Sequence, residues 1–353
     1  MRSIDFLIIG QGLAGSALAW ELTHRGKTVM VIDDPEANRS SGIAAGLFNP
    51  ITGRVMNKTW MADQLFPELY QFYSKASKEL HQNFFHPGAI YRPFISNQEQ
   101  QQWKLKSEDS SMLPYVKRFH DMPQWTHQVR NPWGGIEIAH SGYINTNLWM
   151  KAVREWLIHS GSYVQSHFDE QELRAGDRIG YRDLDAGSLI YCNGLGALTG
   201  TWFNWLPLKP LKGQTLRITT PEVMERIYSR GVFMVPFGNE YAVGATYEHP
   251  PFELHATTAG RTVLVEKLKD LLSTTFQVVH QDWGIRPTTP DRRPIIGQHP
   301  QHKNVWFFNG LGTKGVSLAP YFARQLAERL MDDTDLHPAV NISRFYTLYS
   351  GSR

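Results

Sequence analysis

Residues 4–33, IDFLIIGQGLAGSALAWELTHRGKTVMVID, constrain the fold more than any other stretch of the chain. The uncharged run Phe6, Leu7, Ile8 and Ile9 suits a parallel strand buried on both faces, and it stops at Gly10. Gly10, Gly12 and Gly15 then spell G-x-G-x-x-G. Ala14, Leu18 and Leu22 follow at helical spacing, so the glycine turn opens into a helix with one apolar stripe. Gly26 ends that helix. Val29, Val31 and Ile32 form a second strand, and Asp33 stands at its end, 18 residues beyond Gly15.

Each of these residues has a physical task. Gly10 lets the chain turn, Gly12 removes the Cβ that would block a pyrophosphate, and Gly15 lets helix and strand approach closely. An anion held there meets free backbone N–H groups and the positive end of the helix dipole. The Asp33 carboxylate can accept both hydroxyls of an adenosine ribose and would repel a 2′-phosphate, which favours FAD or NAD over NADP.

Composition excludes several classes. A chain of 353 residues, 41% hydrophobic and 20% charged, is expected to bury a large interior shared by two joined domains. No run of about eighteen apolar residues offers a membrane span. The net charge of +3 comes from scattered lysines and arginines, so charge alone neither implies nor excludes nucleic acid. One cysteine, Cys192, leaves no internal disulfide and no cysteine-based zinc site, and a reducing, cytoplasmic location is the expectation. The histidines show no H-E-x-x-H, and His299 and His302 fall in a Pro-bounded loop, so no metal is expected. Arg2, the apolar run and an A-x-A at Ala17 to Ala19 imitate a secretory signal. Cleavage there would remove the phosphate loop, and the segment is read as part of the folded protein.

Further along, Ser40, Ser41, Gly42, Ile43, Ala44, Ala45 and Gly46 are small enough to let backbone approach a flat or anionic group, or to make a tight packing corner. Residues 60–80 read as a helix in a helix-rich insert, with Pro67 in its first turn. Short strands at 89–93 and 116–119 flank a polar helix at 98–106, and a helix at 147–159 leads to a strand at 163–168. Residues 189–193 are a buried strand ending in Gly194-Leu195-Gly196, either a strand end facing a nucleotide or an ordinary turn. Segments 211–219, 231–236 and 241–247 alternate like an antiparallel sheet, and 262–272 is helical. The closing stretch has Gly284-Ile285-Arg286-Pro287, a strand at 304–308, glycines at 310, 312 and 315, and a helix with Ser317 as cap and Pro320 in its first turn. A second glycine loop opening a helix points to another electron-rich group near the first.

Together these pieces resemble the FAD-dependent D-amino acid oxidase superfamily, above all its glycine oxidase and sarcosine oxidase branches and the FAD domain of the bifunctional tRNA methylaminomethyluridine enzyme. The specific matches lie at 4–33, 41–50, 191–196, 233–247 and 284–330. The resemblance implies that Gly10, Gly12, Leu13, Ala14 and Gly15 hold the FAD pyrophosphate and that Asp33, where the family commonly has Glu, holds the ribose. It implies that Ser41, Ala44, Ala45 and Gly46 line the flavin with Gly194 beside them, and that Leu311, Gly312, Thr313, Lys314 and Gly315 face its pyrimidine end. Charge that builds at N1 and C2=O on reduction would be stabilised by Lys314 and the helix start, although Lys314 also reads as a solvated loop cation. Arg286 falls where glycine-oxidase-like members clamp a substrate carboxylate; alternatively it pairs with Asp291. Phe233 and Tyr247 match positions facing the flavin from the substrate side. The former is commonly Tyr in glycine oxidases, which argues for a substrate less polar or larger than glycine. Arg54 reads equally as a second anion contact or as a loop residue. With no cysteine in the final glycine loop, FAD is expected to be noncovalent.

The expected architecture is therefore α/β: a Rossmann-like FAD-binding domain (1–83, 143–208, 281–353) and an α+β substrate domain on an antiparallel sheet (84–142, 209–280). The implied activity is oxidation of the C–N bond of a small amino acid or secondary amine by hydride transfer to flavin N5, with oxygen or another acceptor reoxidising the flavin. Nucleic acid is not expected as a partner. The rival readings are a tRNA-modifying flavoprotein and an NAD-dependent dehydrogenase, and the latter leaves the last glycine loop unexplained.

Overall fold

The computed structural model describes residues 1–34, 40–53 and 56–349, so Arg54 lies outside the described residues. In chain order the principal elements are β1 (Arg2–Ile9), α1 (Leu13–His24), β2 (Val29–Asp33), α2 (Ala62–Glu79), β3 (Ile90–Pro93), α3 (Asn97–Ser107), β4 (Val116–His120), β5 (Gly135–Ile138), α4 (Thr146–His159), β6 (Tyr163–Gln165) and β7 (Leu184–Tyr191). The second half adds β8 (Lys209–Thr219), β9 (Ile227–Arg230), β10 (Val232–Phe237), β11 (Glu240–Gly244), α5 (Thr258–Leu271), β12 (Gln277–Thr288), β13 (Ile295–Gln298), β14 (Val305–Asn309) and α6 (Gly315–Asp332).

Two large sheets organise these elements. In the first, β6, β2, β1, β7 and β14 run parallel in that spatial order, with β13 antiparallel on β14. Because they share one direction, β1, β2, β7 and β14 all end at one edge, the edge at which doubly wound sheets bind ligands. β1 and β2 are buried nearly throughout, as expected of strands covered on both faces. The second sheet has the order β12, β8, β11, β10, β9, β3, β5, β4, antiparallel except for the β9–β3 pair. Leu264, Leu268 and Leu271 of α5 cover one of its faces, packing on Leu216, Tyr228, Met234 and Val243. Its opposite face carries Thr215, Gly244, Phe233 and Ser229 in one cross-strand row. β12 pairs with β8 along its whole length, so position 281 falls within a continuous strand.

Four local expectations need correction. α1 is not one-striped: Leu13 through Trp20 and Leu22 are all buried, because the helix is packed between the sheet, α4 and α6. α2 is a single helix lying on α6 rather than part of a separate helical insert, and the Tyr73 hydroxyl donates to the Val316 carbonyl at 3.2 Å. Pro67 and Pro320 each stand sixth in their helices, past the first turn. Each leaves a carbonyl four residues back without its helical donor, a cost opposed by burial of neighbours such as Phe66, Leu69 and Phe322. Ser317 is not the cap of α6: the helix begins at Gly315, Lys314 occupies the N-cap position, and the Ser317 hydroxyl donates back to the Lys314 carbonyl at 3.1 Å.

The closest backbone approach in the first sheet is set by Gly15. A Cβ built there would lie 1.9 Å from the Gly10 carbonyl oxygen. Gly15→Ala is therefore expected to force α1 away from β1 and to lower stability by about 1–3 kcal/mol or more. Thermal unfolding of the two proteins checks this, and equal midpoints would show that the contact is not structurally demanding.

Candidate active site

At the carboxyl edge of the parallel sheet, Gly10 turns the chain with φ of 95°, and a Cβ on it would collide with Asn193 and the Cys192 carbonyl at 2.8 Å. The Gln11 N–H donates to Asp33 Oδ1 at 2.7 Å, and Asp33 Oδ2 accepts from the Tyr163 hydroxyl at 3.2 Å. The end of β2 is thereby fastened to the start of the glycine loop. Ser41 sits against the loop: its hydroxyl accepts the Leu13 N–H at 3.3 Å and lies 3.2 Å from where a Gly12 Cβ would be.

Helix capping separates two groups of helices. The starts of α3, α4 and α5 are satisfied by the side chains of Ser96, Asn145 and Thr257, whereas Gly12, Met61 and Lys314, the N-caps of α1, α2 and α6, give no side-chain cap. Among the described residues the N–H groups of Gly12, Ala14, Thr313, Gly315 and Val316 have no protein acceptor. Orphan donors of this kind are what anionic or carbonyl oxygens of a ligand satisfy. The two helix starts are neighbours, since a Cβ on Gly315 would lie 2.9 Å from Leu13 Cδ1. Gly310 and Gly312 hold positive φ of 74° and 57°, and the Gly312 N–H donates to the Pro287 carbonyl at 3.0 Å, tying this loop to β12.

Both loops open on one cavity of about 2580 Å³ bounded on its other side by the antiparallel sheet. It is lined by Gly10, Gly12, Leu13, Ala14, Asp33, Ser41, Ala44, Ala45, Gly46, Gly194 and residues 311–315, and also by Phe233, Tyr247 and Arg286. Gly15 alone of the residues singled out in the sequence is off this surface, because its role is the contact with β1. The fit to FAD rests on these features: a cradle that a Cβ at Gly12 would disturb, unpaired donors at two adjoining helix starts, and a half-buried cation beside the second. That cation is Lys314, whose Nζ donates to Thr59 Oγ1 at 3.1 Å. Burial, reinforced by the Arg293 and Arg292 guanidiniums, pushes its pKa down to about 8. Half-buried and with its Nζ on Thr59, Lys314 is not a freely solvated loop cation.

Arg286 is half-buried and has no carboxylate at salt-bridge distance among the described residues. Asp291, the alternative partner, instead pairs with Arg344 at 3.1 Å. Burial lowers the Arg286 pKa, opposed by charges at Tyr247 and Glu248. Its guanidinium lies across the β8 backbone: a Cβ on Gly213 would fall 2.1 Å from one terminal nitrogen and 2.3 Å from the other. Nη1 makes only a long contact to the Thr246 carbonyl, 3.4 Å, and the Tyr247 ring centroid is 5.3 Å away. Phe233 covers Gly244, where a Cβ would meet its Cζ at 2.7 Å, while Tyr247 is 64% exposed and stands at the mouth. Sequence reasoning missed Gly213, although a glycine inside an alternating strand signals close approach by another group. It also missed Thr59 and Arg293, the latter stacked 4.0 Å from the Trp60 ring, and for these no local pattern exists.

Residues 5–329 match the family model described as DAO, FAD dependent oxidoreductase. The bifunctional protein ThiO/ThiG of Trichormus variabilis is 27% identical over 93% of this chain and 53% of its own length. The tRNA 5-methylaminomethyl-2-thiouridine biosynthesis bifunctional protein MnmC of Idiomarina loihiensis is 22% identical over 97% of this chain and 59% of its own. The chain thus spans about half the length of the curated relatives it matches. The crystal structure of iminodiacetate oxidase from Chelativorans sp. BNC1 shares the fold with a TM-score of 0.76 at 21% identity, covering 94% of this chain and 97% of that one.

The Lys314 environment has a consequence for the ligand-free protein. Its folded pKa of about 8 lies below the ordinary 10.5, so between these values the unfolded chain holds a proton that the native chain has released. Stability conferred at this site therefore rises with pH across that window and is absent below it. Against Lys314→Met, the wild-type chain is expected to gain up to about 3 kcal/mol between pH 7 and 10.5, read by urea unfolding at both pH values. A pH-independent difference would place the ammonium in water.

Proposed function

Because this chain belongs to the DAO family of FAD-dependent oxidoreductases, we propose that it oxidises the C–N bond of a small amino acid or secondary amine to an imine, which water hydrolyses. FAD supplies the chemistry by accepting the hydride from the α-carbon, and oxygen or another acceptor takes the electrons onward. The parallel sheet holds the dinucleotide, and the antiparallel sheet, whose strand β12 runs on to Thr288 and carries Arg286, presents the substrate.

The observation that carries this reading is Arg286: a half-buried guanidinium in the cavity wall with no carboxylate at salt-bridge distance among the described residues. A substrate carboxylate supplies the missing charge in the bidentate geometry that guanidinium favours. Laid over Gly213, the arginine is fixed in place before substrate arrives, so little ordering entropy is lost on binding. Phe233 gives the amine an apolar floor, which excludes water from the reacting carbon and favours the neutral amine. Tyr247 closes the carboxylate side at the mouth. Lys314 and the α6 start offset the negative charge that develops beside them. The cofactor is held noncovalently: Cys192 stands on the β7 side, fully buried with its thiol pKa raised by desolvation, and residues 310–315 include no cysteine. The iminodiacetate oxidase relative supports the substrate class, since iminodiacetate is a secondary amine bearing carboxylates.

Similarity to MnmC favours a second reading, in which the amine is attached to an RNA base. Binding of tRNA with a steep salt dependence distinguishes it from the first.

The purified protein is expected to be yellow, with a flavin spectrum that bleaches anaerobically with some member of a panel of amino acids and N-substituted glycines. A colourless, flavin-free protein refutes the reading. Arg286→Leu is expected to raise KM about 10- to 100-fold, the equivalent of ~1.5–3 kcal/mol for a charged hydrogen-bonded pair, with flavin content unchanged. Gly213→Ala, which displaces the same guanidinium, is expected to reproduce that pattern in weaker form; loss of flavin in either variant would make the residue structural.

A further inference from the structure

The cavity continues past Phe233 along the antiparallel sheet. The row Thr215, Gly244, Phe233, Ser229 passes to Arg92, which follows the Tyr91–Tyr228 pair by one residue on the adjoining strand. All five residues line the cavity. Arg286, lying over Gly213 on β8, and Arg92 on β3 thus face the same space from opposite ends, four strand spacings or about 19 Å apart across the sheet.

The Arg92 end is richer in cations than its protein surroundings neutralise. Arg92, Arg130, Arg230 and Lys267 line that rim, with Glu99 and Asp270 as the carboxylates among them. Glu99 pairs with Arg92 at 2.9 Å, and the Arg92 Nε is buried without an acceptor. Arg130 and Arg230 have no carboxylate at salt-bridge distance among the described residues. Arg130 Nε donates to the Leu272 carbonyl at 2.9 Å, and Arg230 donates to the carbonyls of Arg130 and Asp270. Carbonyl bonds order a guanidinium without cancelling its charge. Burial lowers the Arg230 pKa; the carboxylates of Glu99 and Asp270 oppose this, and repulsion from Arg92 and Arg130 adds a smaller contribution to it. Holding them together costs stability unless an anion joins them.

We propose that Arg92, Arg130 and Arg230 form a second anion subsite, and that the natural substrate is a two-ended molecule with its amino-acid carboxylate on Arg286 and a carboxylate or phosphate group at this rim. This deepens the amine-oxidation reading and rests on it for the position of the first carboxylate. Allowing for the reach of the side chains, the two anionic groups are separated by on the order of 10–15 Å. A free amino acid is too short to span that gap; an amino acid N-substituted with a longer, anion-bearing arm fits it. Such an arm passes over Ser229 and Phe233, the surface that joins the two ends.

Isothermal titration calorimetry on the flavin-loaded chain tests this with three glycines: one N-substituted with a nonyl chain, and two in which the same chain ends in a carboxylate or a phosphonate. The charged probes are expected to bind at least about tenfold more tightly than the neutral one, with the advantage shrinking from about 0.05 to 0.3 M salt. The stronger of the two identifies the terminal group. Arg230→Gln is expected to abolish the advantage and Arg230→Lys, which keeps the charge, to retain most of it, each variant first shown to keep its flavin and melting midpoint. Equal affinity for charged and neutral probes overturns the proposal, as does an advantage that survives both Arg230→Gln and Arg130→Gln. Failure of every amine to bleach the flavin counts against the amine-oxidation reading instead, while the calorimetric ranking still decides the subsite.

Discussion

The structure depends on two helix starts brought side by side with their backbone N–H groups unpaired. α1 and α6 come from opposite ends of the chain, yet Leu13 and Gly315, their first residues, are within contact distance across the sheet edge. α3, α4 and α5 close their first turns with Ser96, Asn145 and Thr257; α1 and α6, like α2, have no such side-chain cap. Aligned peptide dipoles make each start weakly positive, and two together form a place where electron-rich oxygens are bound more favourably than water. The parallel sheet exists to deliver them there: β1, β7 and β14 end together, and the glycines at 10, 310 and 312 let the chain leave those ends at angles other residues would not allow.

The second sheet meets this arrangement from the opposite side and contributes what the first lacks, a directed charge and an apolar surface. A partly desolvated guanidinium with no carboxylate at salt-bridge distance is unfavourable, and among the described residues Arg286 is in that condition, steadied by the β8 backbone and a long carbonyl contact. Behind it, on the reverse side of β8, fully buried Lys212 lies 3.3 Å from Glu248, whose other carboxylate oxygen accepts from Thr246 and Gln214. This polar network fixes the segment carrying Thr246 and Tyr247, and so sets the walls around Arg286. Placement of the arginine is thus a property of four neighbouring strands rather than of its own loop.

Much of this was legible in the chain itself. The order strand, glycine loop, helix, strand and acid at 4–33 left one local fold open to it, because each residue type fits one role in that order. The alternating segments after 209 read as an antiparallel sheet for the same reason. Short-range signals failed where tertiary packing overrode them. α1 looked one-sided from its leucines, but Ser16, Ala17, Ala19 and Trp20 are buried too, since three layers meet around it. Ser317 had the chemistry of a cap, yet Gly315 starts the helix earlier and leaves the donors free.

By itself the sequence determined the α/β unit and the two glycine loops, because these follow from spacing and from residue types with few alternatives, and its resemblance to a known family implied the FAD dependence. Only the tertiary structure decided that the two loops adjoin, that Asp291 is committed to Arg344 rather than Arg286, and that Gly213 is the bed on which Arg286 lies. Those facts join residues from tens to hundreds of positions apart, and no local propensity carries that information. The same holds for Arg92, Arg130 and Arg230. They are scattered charges in the sequence and become one cationic rim when β3, β9 and the segment before β5 are drawn together around a single sheet.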